Sequence, residues 1–367
     1  MSFLGLQKKN NIDLIIEIQS SLIRVHLLLA MKNAQERLVI GAFESHFEYK
    51  EKEGSKRYVN TVKNCLSETL EQVHLHITKL KKTDPQSRLS GNIGFVDICL
   101  SSPWSTTQTK TISLDTKPNT EINYRHVDDI LKNHKKQLQL DKNLAVIEEK
   151  VTTIKLNGYE VKNFTKHIAS HLEISYIISI SSRDFIKSIQ AICKKYTTSK
   201  KIHYHSIISL LQLGIRDTFP DTFSGSIINI HGELSEVTVL DRGRNIFTAS
   251  FPYGYKTLLR KVSEKSKHKH HSTDSLISMY EKNILIHSNN HEFEAIRQSL
   301  KEWKNVLDMT MKDLQNLAKF TKNITINSDQ YKELFKTFLN SEFSGSTILD
   351  FNHNEILIGT INNIHTR

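Results

Sequence analysis

The chain has 367 residues, with 50 Lys and Arg against 39 Asp and Glu, a net charge of +11 at pH 7, and only 13 Gly and 5 Pro. Such a length buries a sizeable core and holds two or more domains, and the low Gly and Pro content excludes a loop-rich or disordered protein. The positive charge permits contact with nucleic acid or an anionic surface, but the lysines are dispersed and no nucleic-acid motif is present, so nucleic acid is not an expected partner.

Ile12 to Ile18 reads as a strand whose apolar run is broken by Asp13 and Glu17, unlike a signal peptide. Gln19-Ser20-Ser21 turns the chain into a second strand, Leu22 to Leu29. Met31 to Gln35 turns it again into a third, Arg37 to Phe47. From Tyr58 to Leu80, Val62, Cys65, Leu66, Leu70, Val73 and Ile77 recur at three-to-four spacing, the mark of an amphipathic helix. Ile93 to Leu100 and Thr109 to Leu114 are strands, and His126 to Leu138 is a polar amphipathic helix. Val146 to Leu156 and Gly158 to Val161 form a hairpin turned at Asn157-Gly158. Residues 105–163 therefore read as a small αβ insertion.

Ser175 to Ser181 is a strand, Arg183 to Lys195 a helix, and His203 to Leu213 a further helix. The three-strand pattern then recurs: Ile227 to Ile230, a turn at His231-Gly232-Glu233, Leu234 to Leu240, a turn at 241–244, and Ile246 to Phe251. Pro252-Tyr253-Gly254 leads into a helix. The polar run Glu264 to Thr273 reads as an exposed loop. Leu276 to His287 and Phe293 to Leu317 read as helices, the second with Ile296, Leu300, Trp303, Leu307, Met311, Leu314 and Leu317 in register. Ile324 to Ile326 is a short strand, Asp329 to Leu339 a helix, and Thr347 to Ile361 one or two β segments rather than an amphipathic helix. The β-turn-β-turn-β-α order thus occurs twice, arguing for two related α/β halves.

Cys65, Cys99 and Cys193 lack CxxC spacing and suit buried thiols in a reducing cytoplasm. No run of about 18 uninterrupted apolar residues is present, so no membrane span is expected.

This order of elements resembles the actin-like ATPase superfamily, in its FtsA/PilM-like branch, over nearly the whole chain. Glu17-Ile18-Gln19-Ser20-Ser21 matches the place of the first phosphate hairpin, and Asn229 to Glu236 that of the second. Phe251-Pro252-Tyr253-Gly254 is similar to the family's entry to the following helix, and Ile324 to Leu339 to its adenosine motif. The resemblance implies an actin-like (ribonuclease H-like) duplicated two-domain α/β fold with a small inserted αβ subdomain. The first domain would span 1–104 and 164–220, the insertion 105–163, and the second domain 221–367. It also implies ATP or ADP with Mg²⁺ between the hairpins, held by Glu17, Gln19, Ser20, Ser21, Asn229, His231, Gly232, Glu233, Asn327 and Ser328.

Departures from the family pattern bear on the chemistry. Gln19 stands in place of a glycine, Asn229 in place of an acid, and only Gly232 remains of a Gly-rich turn. A carboxylate at Glu233 repels a phosphate by several kcal/mol unless a cation bridges them. Asn327-Ser328-Asp329 replaces the adenosine glycines. Conventional hydrolysis is therefore not expected, and no catalytic residue is assigned. Two readings stand for Glu17 to Ser21, a phosphate cradle or a plain turn satisfying its own chain. Glu233 and Glu236 read as turn and solvent-face carboxylates more readily than as Mg²⁺ ligands.

Among 18 histidines, His268, His270 and His271 sit in a lysine-rich stretch with no residue spaced to complete a tetrahedral site. His74 with His76 and His203 with His205 lie in expected helices and would point apart, so no metal site is expected. Trp104 marks either a partner-binding groove beside the insertion or a buried hinge, and Trp303 reads as core. The resemblance implies a cytoplasmic assembly adaptor that docks the cytoplasmic tail of a membrane-anchored division or type IV pilus protein, with self-association possible in that family. The alternative is an ATP-binding, polymerising FtsA-like ATPase. With a β-like C-terminal segment, attachment to the membrane would come through the partner.

Overall fold

The computed structural model describes residues 10–30, 37–48, 54–83, 89–117, 120–138, 140–161, 163–197, 199, 201–219, 223–267, 270–282, 291–312, 322–343, 345–349 and 352–366. Its first part is β1 (Asn10–Ile18), β2 (Leu22–Ala30), β3 (Arg37–His46), α1 (Gly54–Thr83) and β4 (Leu89–Leu100). Next come β5 (Ser105–Asp115), β6 (Glu121–Ile122), α2 (Tyr124–Gln137), β7 (Leu144–Leu156), β8 (Tyr159–Glu160), β9 (His167–Ile168) and β10 (His171–Ser182). The first half closes with α3 (Arg183–Tyr196), β11 (Lys201–Ser206) and α4 (Ile207–Thr218). The second half holds β12 (Gly225–Ile230), β13 (Ser235–Asp241), β14 (Arg244–Phe251), α5 (Tyr255–Ser266), α6 (His270–Glu281) and α7 (His291–Met311). It ends with β15 (Asn323–Ser328), α8 (Lys332–Glu342), β16 (Thr347–Leu349) and α9 (His353–Thr366).

The two large sheets have one topology. The first runs β11-β4-β1-β2-β3 and the second β16-β15-β12-β13-β14. In each, three strands form an antiparallel meander, and the next two join in parallel beside the first. Central strands of such sheets are covered on both faces and so carry near-continuous apolar runs. In β1, Ile12, Leu14, Ile16 and Ile18 face the core beneath α1 and α3, while Ile15 faces the opposite side. There it joins Cys99, Leu210, Leu211, Ile215, Ile227, Leu240, Leu357 and Ile361 in a core shared by both halves. Helices α4 and α9 supply most of that shared core. The second half packs its own core on Trp303, Phe335 and the β12–β14 meander. All three cysteines are buried and free.

The insertion is an antiparallel sheet in the order β5-β10-β7-β8, with Val127 and Leu131 of α2 packed in its core. Its Asn157-Gly158 turn holds both residues at positive φ, 50° and 85°, as a two-residue hairpin requires. Strand β10 lies between β5 and β7, so this sheet extends past residue 163 to Ser182.

Several expected elements differ. His203 to Leu213 divides into a strand, β11, and the start of α4; Ile202 and Tyr204 alternate onto the core, and hydrogen bonding to β4 overrides the local helical spacing. The segment from Thr347 forms only a short strand before α9. Leu357 and Ile361 are buried four residues apart, and Asn352 accepts hydrogen bonds from the Asn354 and Glu355 amides. That Asn-x-x-Glu start is a helix N-terminal signal. Within the polar stretch expected as a loop, residues 264–266 end α5 and residues 270–273 begin α6, with Ser266 and Thr273 buried. Helix α6 accordingly starts six residues before Leu276, the expected start. The turn at Met31 to Gln35 and the positions Leu314, Leu317 and His268 lie outside the described residues. Among the described residues no helix is long and apolar enough to cross a membrane.

Candidate functional site

The loops after β1 and β12 meet face to face. The Glu233 amide donates to Ser20 Oγ at 3.1 Å, and His231 Nδ1 lies 2.8 Å from Gln19 Oε1. A Cβ added to Gly232 would lie 1.8 Å from Ser21 Oγ and 2.4 Å from Ser21 Cβ, so only glycine permits this approach. Gly254 is pressed as closely on the second loop, where a Cβ would lie 2.2 Å from the His231 carbonyl oxygen. The first amides of α5 are also engaged: Tyr255 N–H donates to the His231 carbonyl and Lys256 N–H to that of Gly232. Helix N-terminal amides left open would favour an anion.

A buried polar chain runs between the loops. The Ser102 amide donates to Glu236 Oε1 at 2.9 Å, and Glu236 Oε2 lies 2.9 Å from His231 Nε2. Both His231 nitrogens face acceptors, so the ring carries both protons. Burial alone would push its pKa down, but the hydrogen bond and charge of Glu236 win and raise it. Gln19 Nε2 donates to Glu17 Oε1 at 2.7 Å and reaches Asp329 Oδ1 at 3.4 Å. Glu17 is fully buried and takes further bonds from His353 Nε2 at 2.8 Å and the Arg24 guanidinium at 3.0 Å. Burial opposes its charge, yet His353, Arg24 and Gln19 hold the carboxyl well below the ordinary range. Arg24 also pairs with Glu44 and Asp329, and Asn327 Nδ2 meets His353 Nδ1 at 2.9 Å.

The ten sequence-derived positions therefore converge on one region, though not as a uniform cradle. Glu17, Gln19, Ser20, Ser21, His231, Gly232 and Glu233 are engaged with one another or with neighbouring side chains. Ser328 bonds the Ile230 and Gln330 carbonyls. Asn229 is buried with its Oδ1 unpartnered. Glu233 pairs with Arg260 at 2.6 Å. Glu236 is not on a solvent face but buried, with both oxygens bonded inside the network. Asn327 and Ser328 line an open polar cavity of about 530 Å³ with Arg24, Asp329, Lys332 and His353. The unforeseen members are Arg24 and His353; Asp329 and Trp104, singled out for other reasons, also join, the buried Trp104 indole donating to the Gln19 carbonyl at 2.7 Å while stacking on Phe185. His353 was legible only through the α9 start signal at Asn352.

Two sheets of identical topology, with their first hairpin loops facing across a cleft and an insertion after β4, define the actin-like ATPase fold. The chain is similar to a protein of the PilM–PilN type IV pilus biogenesis complex, with a TM-score of 0.61, 9% identity, and 97% of this chain and 98% of that chain covered. It is also similar to a diol dehydratase-reactivating factor in nucleotide-free form, with a TM-score of 0.51, 6% identity, and 97% and 100% covered. No family pattern and no curated protein sequence matches the chain. At these identities the shared property is the fold.

Proposed function

We propose that this protein is an actin-fold assembly adaptor that docks the cytoplasmic tail of a membrane-anchored partner, of the type IV pilus or division machinery, with little or no nucleotide hydrolysis. The direct contact of the two hairpin loops, sealed by Gln19 and His231, carries the reading. A phosphate between them would have to displace the Gln19–His231–Glu236 chain and separate Ser21 from Gly232. Likeness to a protein of a pilus complex supports a membrane-anchored partner, and with it a place at the inner face of the membrane.

The partner's place in this reading is a groove of about 520 Å³ between α1, α3 and the root of the insertion. Tyr58, Val59, Pro103, Trp104 and Phe185 line it, with Lys56, Lys63 and Asp184 on its wall. This apolar trough with charges of both signs at its wall suits a short segment carrying apolar anchors. The decisive experiment pairs two titrations of the purified chain. ATP or ADP with Mg²⁺ should leave the melting temperature unchanged at millimolar nucleotide. Peptides from the cytoplasmic tails of membrane proteins encoded beside it should shift the Trp104 fluorescence, and Val59→Asp should abolish that shift. Turnover of ATP lost on Glu17→Ala would overturn the proposal.

One observation favours the second reading, an ATP-binding, polymerising ATPase. The 530 Å³ cavity places Arg24, Asn327 and Ser328 around a space open to solvent. That reading requires Mg²⁺-dependent nucleotide binding weakened by Arg24→Met and filament formation in the pelleting assay.

A further inference from the structure

We propose that Asp97, His203 and His365 form a zinc site, separate from the cleft, that fastens the end of α9 to the edge of the first sheet. In the parallel register of β4 and β11, His203 lies directly opposite Asp97. Ile202 and Tyr204 turn to the core, so His203 and His205 share the other face, as strand alternation demands. The last turn of α9 lays His365 on that same face. Three elements distant in sequence thus present their donors to one point.

The geometry fits a tetrahedral ion. Asp97 Oδ1 lies 3.4 Å from His203 Nδ1 and 3.0 Å from His365 Nε2. All three ligand atoms fall within 4.8 Å of one another. Zinc bonds of 2.0–2.1 Å at tetrahedral angles set donors about 3.3 Å apart. The two carboxylate–imidazole separations bracket that value, and rotation of His203, whose side chain is 41% exposed, closes the remaining edge. Two imidazoles and one carboxylate are a donor set for zinc rather than for magnesium or calcium, which prefer oxygen shells. The exposed side of His203 leaves the fourth position to water.

The surroundings orient these donors. His205 Nε2 holds Asp97 Oδ1 at 3.0 Å, and its Nδ1 lies 3.8 Å from Glu148. Such partners fix the angle of a ligating carboxylate. Phe95 packs against both ligand rings, with centroids 4.4 Å from His365 and 5.7 Å from His203. One carboxylate facing three imidazoles supplies more nitrogen donors than its single charge needs for an ion pair. The ion would lock one end of the helix whose other end places His353 against Glu17.

The test uses the untagged full chain, stripped with a chelator and titrated with Zn²⁺ and then Co²⁺. One equivalent should bind per chain, raise the melting temperature to a plateau, and give the visible absorption of tetrahedral cobalt. His203→Ala should abolish all three, with the fold checked by circular dichroism, since that side chain is half exposed. His365→Ala should do the same, and His205→Gln should weaken binding about ten- to a hundredfold. The His270→Ala/His271→Ala variant should bind as the parent does. Absence of one-to-one binding, or binding undiminished in His203→Ala, overturns the site and assigns any metal uptake to other histidines.

Discussion

Gln19, His231 and Glu233, the side chains carried by the two hairpin loops, each have a partner across the cleft or beside it. Their contacts predict measurable costs. Gly232→Ala drives a Cβ into Ser21 and should lower stability by about 1–3 kcal/mol, with part of the loss restored by Ser21→Gly in urea denaturation. Arg24→Met leaves Glu17 buried without its guanidinium and should cost about 3–5 kcal/mol by the same measurement. The His231–Glu236 pair sets a pH window. The raised His231 pKa gives stability that is complete below the ordinary 6.5 and lost as pH rises through the folded value. The lowered Glu236 pKa gives stability present above the ordinary 4.5 and lost as pH falls. Urea midpoints should therefore decline on the alkaline side, and His231→Gln should flatten that decline.

At the scale of elements, the shared core depends on α9, where the sequence suggested β structure. Leu357 is fully buried against α4, and Leu357→Ala should cost about 2–5 kcal/mol in denaturant titration. Asn352→Ala, removing the start signal of α9, should cost about 1 kcal/mol. The hairpins and α1 were legible because their periodicity agreed with their final environment: every residue expected on the apolar stripe of α1 is buried. Strand β11 was not, because a helical spacing of apolar residues continued from α4 into it, and only pairing with β4 decides otherwise. The same pairing turned His203 and His205 from residues expected to diverge into neighbours on one face.

Across the whole molecule, the duplication was written in the sequence. Two meanders with matching turns, each followed by a helix, need no knowledge of distant contacts to be recognised, because strand and helix periods are local properties. So were the insertion after β4, short of its last two strands, and the loss of glycines and an acid from the loops. Whether those loops stand apart or touch is a different kind of fact. It depends on the approach of Gly232 to Ser21, on an imidazolium held between Gln19 and Glu236, and on a C-terminal helix that brings His353 to Glu17. Each of these joins residues more than 200 positions apart or rests on charges whose burial no local pattern reveals. The sequence by itself determined the duplicated architecture and the two hairpin loops it carries. The tertiary structure alone decided that the two hairpin loops touch through Gln19, His231, Ser21 and Gly232 beside an open polar cavity, since only folding sets the distance between the two halves.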